Sequence, residues 1–261
     1  MPLGKDMAPV VAIIQARMSS TRLPSKVMKT VCGNPILWHV VNRLKASRLI
    51  EDIMVATTTD PSDDVIEEWC ALTGTASYRG SLEDVLDRYY NAARKIGAKT
   101  IVRITADCPL IDPELVDKVI GKFSEGGYDH TGIDSSYPDG LDAEVFSFAA
   151  LEKAHKEARL ASEREHVTPY IWKNPGFFRL SSIKNDKDLS HLRWTVDDAK
   201  DFLLVTRIFE GMSSFDGVFH MNDILEFLDK NPGLLEINSK TMRNEGYAKS
   251  LKEDKVIDKA V

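Results

Sequence analysis

The chain has 261 residues, 43% hydrophobic and 28% charged, with a formal net charge of −6. That length can bury one large domain, or one domain with an appendage, and the composition is that of a soluble globular protein. The acidic balance argues against bulk attraction to nucleic acid or an anionic membrane. Three scattered cysteines (Cys32, Cys70, Cys108) without a CxxC spacing argue against a disulfide framework or structural zinc, and for a reducing, cytoplasmic setting.

The apolar run from Ala8 to Ile14 predicts a strand buried on both faces, not a signal peptide or membrane span. Asn34 as N-cap and Pro35 in the first turn predict a helix with an apolar stripe of Ile36, Leu37, Val40, Val41 and Leu44. Nearby, Arg43, Lys45 and Arg48 read as a solvated face. Ile53–Thr57 predicts a strand, and Val65 to Leu72 a helix stopped by Gly74. A short strand ends at Tyr78. Ser81 with Asp84 resembles a capping box for a helix running to Gly97. Thr100–Thr105 predicts a strand and Asp112-Pro113 another helix start.

From Gly126 to Gly140, Gly, Ser, Asp and Pro predict a long loop. Ala143–Phe148, Phe178–Ile183 and Leu192–Val196 predict strands. Ser147 opens a helix, and Ser162 with Glu165 suggests a second capping box. A helix over Asp198–Phe209 would turn Phe202, Leu203, Val205 and Ile208 inward. The remainder from Met221 reads as helical and increasingly polar, with the last dozen residues fraying. Repeated βα units imply an α/β fold, three-layer α/β/α, with a mainly parallel sheet.

Chemistry concentrates in one loop. From Met7 to Ile50 there are seven Lys or Arg and no acid, so all 40 acids lie elsewhere. Gln15 to Lys26 follows the first strand directly and carries Arg17, Arg22 and Lys26 among hydroxyls. Ligands of open α/β sheets bind beyond the carboxyl ends of strands, and Arg and Lys suit the oxygens of a triphosphate. Neither GxxxxGK[ST] nor GxGxxG occurs. Asp107 and Asp197 each follow a predicted strand. Together they can hold Mg²⁺ (or Mn²⁺) against phosphate oxygens, although each alone can equally cap a turn. Asp139, Asp142 and Glu144 cluster around Gly140, and His166 sits on a predicted helix. These four are candidates for the acceptor side. Trp38, Trp69, Trp172 and Trp194 read as packing residues.

Ala16-Arg17-x-x-Ser20-Thr21-Arg22-Leu23-Pro24-x-Lys26 resembles the signature loop of the sugar-acid cytidylyltransferases, which activate 3-deoxy-manno-octulosonate and acylneuraminates. Ala106 to Pro113 resembles their metal-binding segment, with Ala106 in place of the usual Gly. Thr195 to Asp201 resembles the segment with their second metal aspartate. The segments Arg79–Tyr89, Pro138–Phe146, Arg164–Tyr170, Arg193–Asp197 and Asn244–Tyr247 are closer still to the spore coat polysaccharide biosynthesis protein F branch. The resemblance spans nearly the whole chain.

It implies a nucleotide-diphospho-sugar transferase (Rossmann-like) fold, CTP as donor, Mg²⁺ dependence and a homodimer. It places nucleotide binding at Gln15, Ala16, Arg17, Ser20, Arg22, Lys26, Thr57, Arg79, Ser81, Asp84 and Ala106. Metal falls to Asp107 and Asp197, and catalysis to Arg17, Lys26, Asp107 and Asp197. The acceptor segments differ from those of the better-known sugar-acid enzymes and imply a different pocket. The implied organisation is a nucleotidyltransferase domain over 1–220, with an acceptor or dimerisation insertion at about 126–190, and a C-terminal helical extension over 221–261.

The expected reaction is CMP transfer from CTP to a small sugar-acid or phosphorylated acceptor, with pyrophosphate released. Two alternatives are a metal-dependent glycosyltransferase, disfavoured by the lack of an Asp-x-Asp after Thr100–Thr105, and a non-catalytic nucleotide-binding pathway protein, disfavoured by the two intact carboxylates.

Overall fold

The computed structural model describes residues 9–241 and 243–257. In chain order its elements are β1 (Val10–Gln15), a ribbon of β2 (Thr30–Val31) and β3 (Asn34–Pro35), α1 (Ile36–Leu44), β4 (Asp52–Thr58), α2 (Asp64–Thr73), β5 (Ala76–Gly80), α3 (Val85–Ile96) and β6 (Thr100–Thr105). Then follow α4 (Pro113–Gly126), β7 (His130–Ile133), β8 (Glu144–Ser147), α5 (Phe148–Glu157), α6 (Ala161–His166), α7 (Pro169–Trp172) and β9 (Leu180–Ile183). Helices α8 (Ala199–Gly211), α9 (Met221–Lys230) and α10 (Glu245–Lys252) complete the chain.

Seven strands form one sheet in the order β5-β4-β1-β6-β8-β7-β9. Strand β1 pairs in parallel with both β4 and β6, and β8 alone runs antiparallel to its neighbours. The chain passes from β1 outward through β4 and β5, then returns to the other side of β1 as β6. The order reverses there, so the loops after β1 and β6 open a crevice at their carboxyl ends.

Alternation along β1 explains the three layers. Val10, Ala12 and Ile14 pack on α1, α2 and α4, while Val11 and Ile13 pack on α3 and α5. A third apolar cluster seats the C-terminal helices: Trp194, Val196, Leu204, Val205, Ile208, Ile224 and Leu228 pack with Ile36 and Leu110. Helix starts follow their caps. Asp112 accepts from the N–H groups of Glu114 and Leu115, and Asp198 from those of Lys200 and Asp201.

Several expectations change. Asn34 lies in the ribbon, and α1 starts at Ile36. Asp84, not Ser81, caps α3, and Ser81 Oγ accepts from Asp84 N–H. Leu160 precedes α6, where Glu163 accepts its N–H, and Ser162 instead bonds Asp254. The long loop from Gly126 contains β7. Residues 192–196 join no sheet: they form the isolated bridge Asp139–Arg193, and Val196 N–H donates to the Asp107 carbonyl. Helix α8 turns Leu204 and Phe209 inward with Val205 and Ile208, and leaves Leu203 exposed. Arg43 is buried, donating to the carbonyls of Ile111 and Phe219 while lying over the Phe219 ring.

Of the expected fraying tail, residues 250–257 dock: Asp254 bonds Ser162, and Val256 bridges to Leu160. Residues 258–261 lie outside the described residues, as does Ala8 at the head of the first apolar run.

Candidate active site

The basic loop folds around Met18. Its carbonyl accepts from the N–H groups of Ser20 and Ser25, at 2.8 and 3.1 Å. Its own N–H donates to Asp63 Oδ1 at 2.7 Å. Asp63 Oδ2 also accepts from Thr57 Oγ1, Thr58 N and Thr58 Oγ1. One buried carboxylate thus ties the loop to the end of β4.

The loop delivers Lys26 between two aspartates. Lys26 Nζ bonds Asp107 Oδ2 at 2.7 Å and Asp197 Oδ1 at 2.8 Å, and Arg22 Nη2 reaches the same Asp197 oxygen at 3.0 Å. The carboxylates meet because their backbones pair: Val196 N–H donates to the Asp107 carbonyl at 2.8 Å. Burial opposes the Lys26 charge, but Asp107 and Asp197 outweigh it and raise the ammonium. Burial likewise opposes the Asp107 carboxylate, and Lys26 still brings it down to about 2.

Both carboxylates therefore converge on one point that a single positive charge can occupy. A hard divalent cation takes one or two carboxylates and completes its shell with phosphate oxygens and water. The pair fits Mg²⁺ or Mn²⁺ in that manner. No cluster of three or more His, Cys, Asp or Glu suited to a metal occurs among the described residues, so the remaining oxygens would come from ligand and water.

These groups line a cleft of about 870 Å³. Its opposite wall is a network on β6, β7 and β8. Glu144 accepts from Arg103 Nη1 at 2.8 Å and from Thr168 Oγ1 at 2.7 Å, and lies 3.0 Å from His130 Nε2. Burial would raise the Glu144 carboxyl, but the His130 and Thr168 hydrogen bonds and the Arg103 charge hold it down at about 2. Val167, between the cleft residues His166 and Thr168, has a φ of +73°, a conformation costly for a β-branched residue.

His166 packs against the Tyr247 ring and lies 3.0 Å from Ser250 Oγ, which donates to Glu165. Burial pushes its imidazole down. Asp139 is pushed up to about 6 by burial and by Asp142, against the pull of Arg193 and Arg243. Gly140 has a φ of +102°, and a Cβ there would lie 2.4 Å from Thr195 N. Glycine therefore lets the 139–141 turn press against the strand-like segment that presents Asp197.

The structure brings Gln15, Ala16, Arg17, Ser20, Arg22, Lys26, Ala106, Asp107 and Asp197 to this cleft, together with Asp139, Asp142, Glu144 and His166. Arg17 makes no hydrogen bond or ion pair with any described residue. Four residues expected at the nucleotide do not line the cleft. The Thr57 hydroxyl is taken by Asp63. Arg79 donates to the carbonyls of Thr58 and Asp60 and pairs with Asp64 and Glu67. Ser81 and Asp84 serve the start of α3, and Asp84 also pairs with Arg164 at 2.6 Å.

Sequence reasoning missed Asp63, Arg103, His130 and Thr168. It also read Trp172 as packing, whereas Trp172 lines the cleft and is 37% exposed. The C-terminal segment reaches the cleft as well. Glu245 pairs with Arg22 at 2.7 Å, and Arg243 bonds Asp142 and two carbonyls of the 135–137 turn.

The sequence profile of one family, cytidylyltransferase, matches residues 11–214. An uncharacterized protein of Methanocaldococcus jannaschii is 40% identical over 241 residues, covering 91% of this chain and 97% of that one. The spore coat polysaccharide biosynthesis protein SpsF of Bacillus subtilis is 30% identical, over 87% of this chain and 96% of its own. Among solved structures, a cytidylyltransferase from Leptospira borgpetersenii superposes with a TM-score of 0.82 at 33% identity, covering 91% of this chain and all of that one.

Proposed function

Because the chain belongs to the cytidylyltransferase family, we propose that it transfers CMP from CTP to a small sugar-acid or phosphorylated acceptor, in making a precursor of a surface polysaccharide or glycoconjugate. The observation that carries this reading is Lys26 held between Asp107 and Asp197 at the mouth of a basic loop. An acceptor oxygen attacks the α-phosphorus in line. The new P–O bond forms as the α–β anhydride bond breaks, and pyrophosphate leaves with the electron pair.

Arg17 is free to take a phosphate oxygen. Arg22 and Lys26 exchange carboxylate oxygens for phosphate oxygens when the triphosphate enters. Asp107 and Asp197 would hold Mg²⁺, which when bound neutralises phosphate charge. The side chains supply position and fixed charge, the main sources of acceleration in phosphoryl-group chemistry. Asp139, Asp142, Glu144 and His166 belong to the acceptor side. An acceptor that presents a phosphate or hydroxyl near the cation needs no strong base.

The working form is read as a cytoplasmic homodimer. Three cysteines without a disulfide among them fit a reducing compartment, and no helix among the described residues is long and apolar enough to cross a membrane. Residues 1–220 are read as the nucleotidyltransferase domain and 221–261 as its helical extension, which supplies Glu245 and Tyr247 to the cleft.

The test crosses a panel of nucleoside triphosphates with acceptors and follows pyrophosphate release. Release is expected with CTP, and Lys26→Ala or Asp107→Ala should abolish it. Full activity in either variant would sink the assignment.

A further inference from the structure

The second carboxylate oxygen of Asp197 is held by Arg193, which also lines the cleft. Asp197 Oδ1 faces Lys26 and Arg22, whereas Oδ2 accepts from Arg193 Nη2 at 2.7 Å. The aim of the carboxylate is thus only as firm as the guanidinium behind it. Arg193 is nearly buried and Asp201 fully so.

Asp201 surrounds itself with donors. Its Oδ1 accepts from Arg193 Nε at 3.1 Å and from Asn238 Nδ2 at 2.8 Å. Its Oδ2 accepts from Arg193 Nη2 at 3.1 Å and from the backbone N–H of Asp197 at 3.0 Å. Both oxygens meet donors only, so an amide in either orientation would set an NH₂ against another donor. Asn238 also donates to the Arg193 carbonyl at 3.0 Å. It fixes the arginine at its backbone as well as through Asp201. Neither Asp201 nor Asn238 lines the cleft.

We propose that Asp201 and Asn238 are positioning residues that lock Arg193, and through it the Asp197 carboxylate, in the orientation that receives the divalent cation accompanying CTP. The proposal rests on the cytidylyltransferase reading above. Partners behind a metal-holding carboxylate govern its direction, and their loss costs about 10- to 100-fold in metal affinity or turnover. The C-terminal segment thereby acts on the site through Asn238, outside the cleft.

Asp201→Asn keeps size and shape while turning one acceptor into a donor. Mn²⁺ is the probe, titrated with CTP and read by water-proton relaxation, which separates protein-bound Mn²⁺ from Mn²⁺–CTP in solution. The expected result is a rise in the Mn²⁺ dissociation constant and a fall in kcat, each about 10- to 100-fold, with the affinity for CTP measured without a divalent cation unchanged. Asn238→Ala, which leaves the Asp201–Arg193 pair in place, should show a smaller loss in the same two quantities and decides the matter if Asp201→Asn does not fold. Unchanged Mn²⁺ affinity in a folded variant overturns the proposal, as does an equal loss of affinity for CTP in the absence of a divalent cation. Wild-type protein that binds no Mn²⁺ with CTP overturns the parent reading, and this one with it.

Discussion

Replacing Asp63 by Ala removes four hydrogen-bond acceptances at once. Asp63 is 1% exposed, and Thr57 and Thr58 are fully buried. The two threonine hydroxyls can rotate toward other acceptors. The N–H groups of Met18 and Thr58 cannot, and they lose bonds of 2.7 and 3.1 Å. A buried N–H left without a partner costs about 1–3 kcal/mol. Met18 is half-buried, so water recovers part of its share, and a net loss of about 3 kcal/mol is expected. For a chain of this size that lowers the melting temperature by roughly 6–12 °C.

Function should suffer separately from folding. The Met18 anchor sets the path of the loop that carries Arg17, Arg22 and Lys26, and small misplacements of binding groups cost up to about 100-fold in rate. KM for CTP should therefore rise well below the melting transition, as read by pyrophosphate release at 20 °C or so. Thr57→Val, which removes one hydroxyl contact to Asp63 and no backbone bond, should leave KM close to wild type. An Asp63→Ala protein with unchanged melting and unchanged KM would refute the idea that this carboxylate organises the loop.

Gly140→Ala should cost about 1–3 kcal/mol from the left-handed backbone alone. Turnover should fall further, because the added Cβ meets the backbone of Trp194 and Thr195 at 2.6 and 2.4 Å; wild-type kcat in the folded variant would contradict the close approach. Glu144 makes acid sensitivity predictable. Its folded value of about 2 lies below the ordinary 4.5, so its contribution is full above pH 4.5 and is lost as pH falls through 2. The whole contribution is about 3 kcal/mol. Urea midpoints of wild type and Glu144→Gln should converge across that window, and a constant gap would count against the network with Arg103, His130 and Thr168. Glu245→Gln should leave melting unchanged, since its pair with Arg22 is exposed and such pairs contribute little. It should lower KM for CTP by removing one of the two carboxylates that hold Arg22, whereas a higher KM would make Glu245 a binding group.

Elements whose signals are local were legible. Thr100–Thr105 pairs fully with β1, Asp112-Pro113 starts α4, and Gly74 and Gly97 end their helices in left-handed conformations. Strand β7 was not legible, because four residues between Asp129 and Asp134, one of them Gly132, carry too short an alternation. Residues 192–196 misled for the opposite reason. Their apolar spacing is real, but Leu192, Trp194 and Val196 pack into the C-terminal cluster, and the backbone pairs with the turns at 107 and 139. Periodicity reports that a face is buried and does not say against what. Arg43 shows the same limit for charge: one cation near two others reads as surface until Phe219, far along the chain, turns out to cover it.

The site divides along the same line. Arg17, Arg22 and Lys26 share one loop after one strand, so their chemistry is contiguous in sequence and can be read there. Asp63 lies 45 residues from the Met18 N–H that it accepts, and nothing around it marks it as other than one acid among several. Glu144 was legible as an acid, but its partners come from Arg103, His130 and Thr168, three separate elements. Each of these is unremarkable alone. The register of β6 with β8 and of β8 with β7 brings Arg103 and His130 to Glu144, and Thr168 arrives from the start of α7. Asp201 shows this division most sharply. Its sequence position, three after Asp198, accounts fully for a place in the first turn of α8. Only the fold shows that the same carboxylate also grips Arg193 and Asn238, and so connects a helix cap to the direction in which Asp197 points.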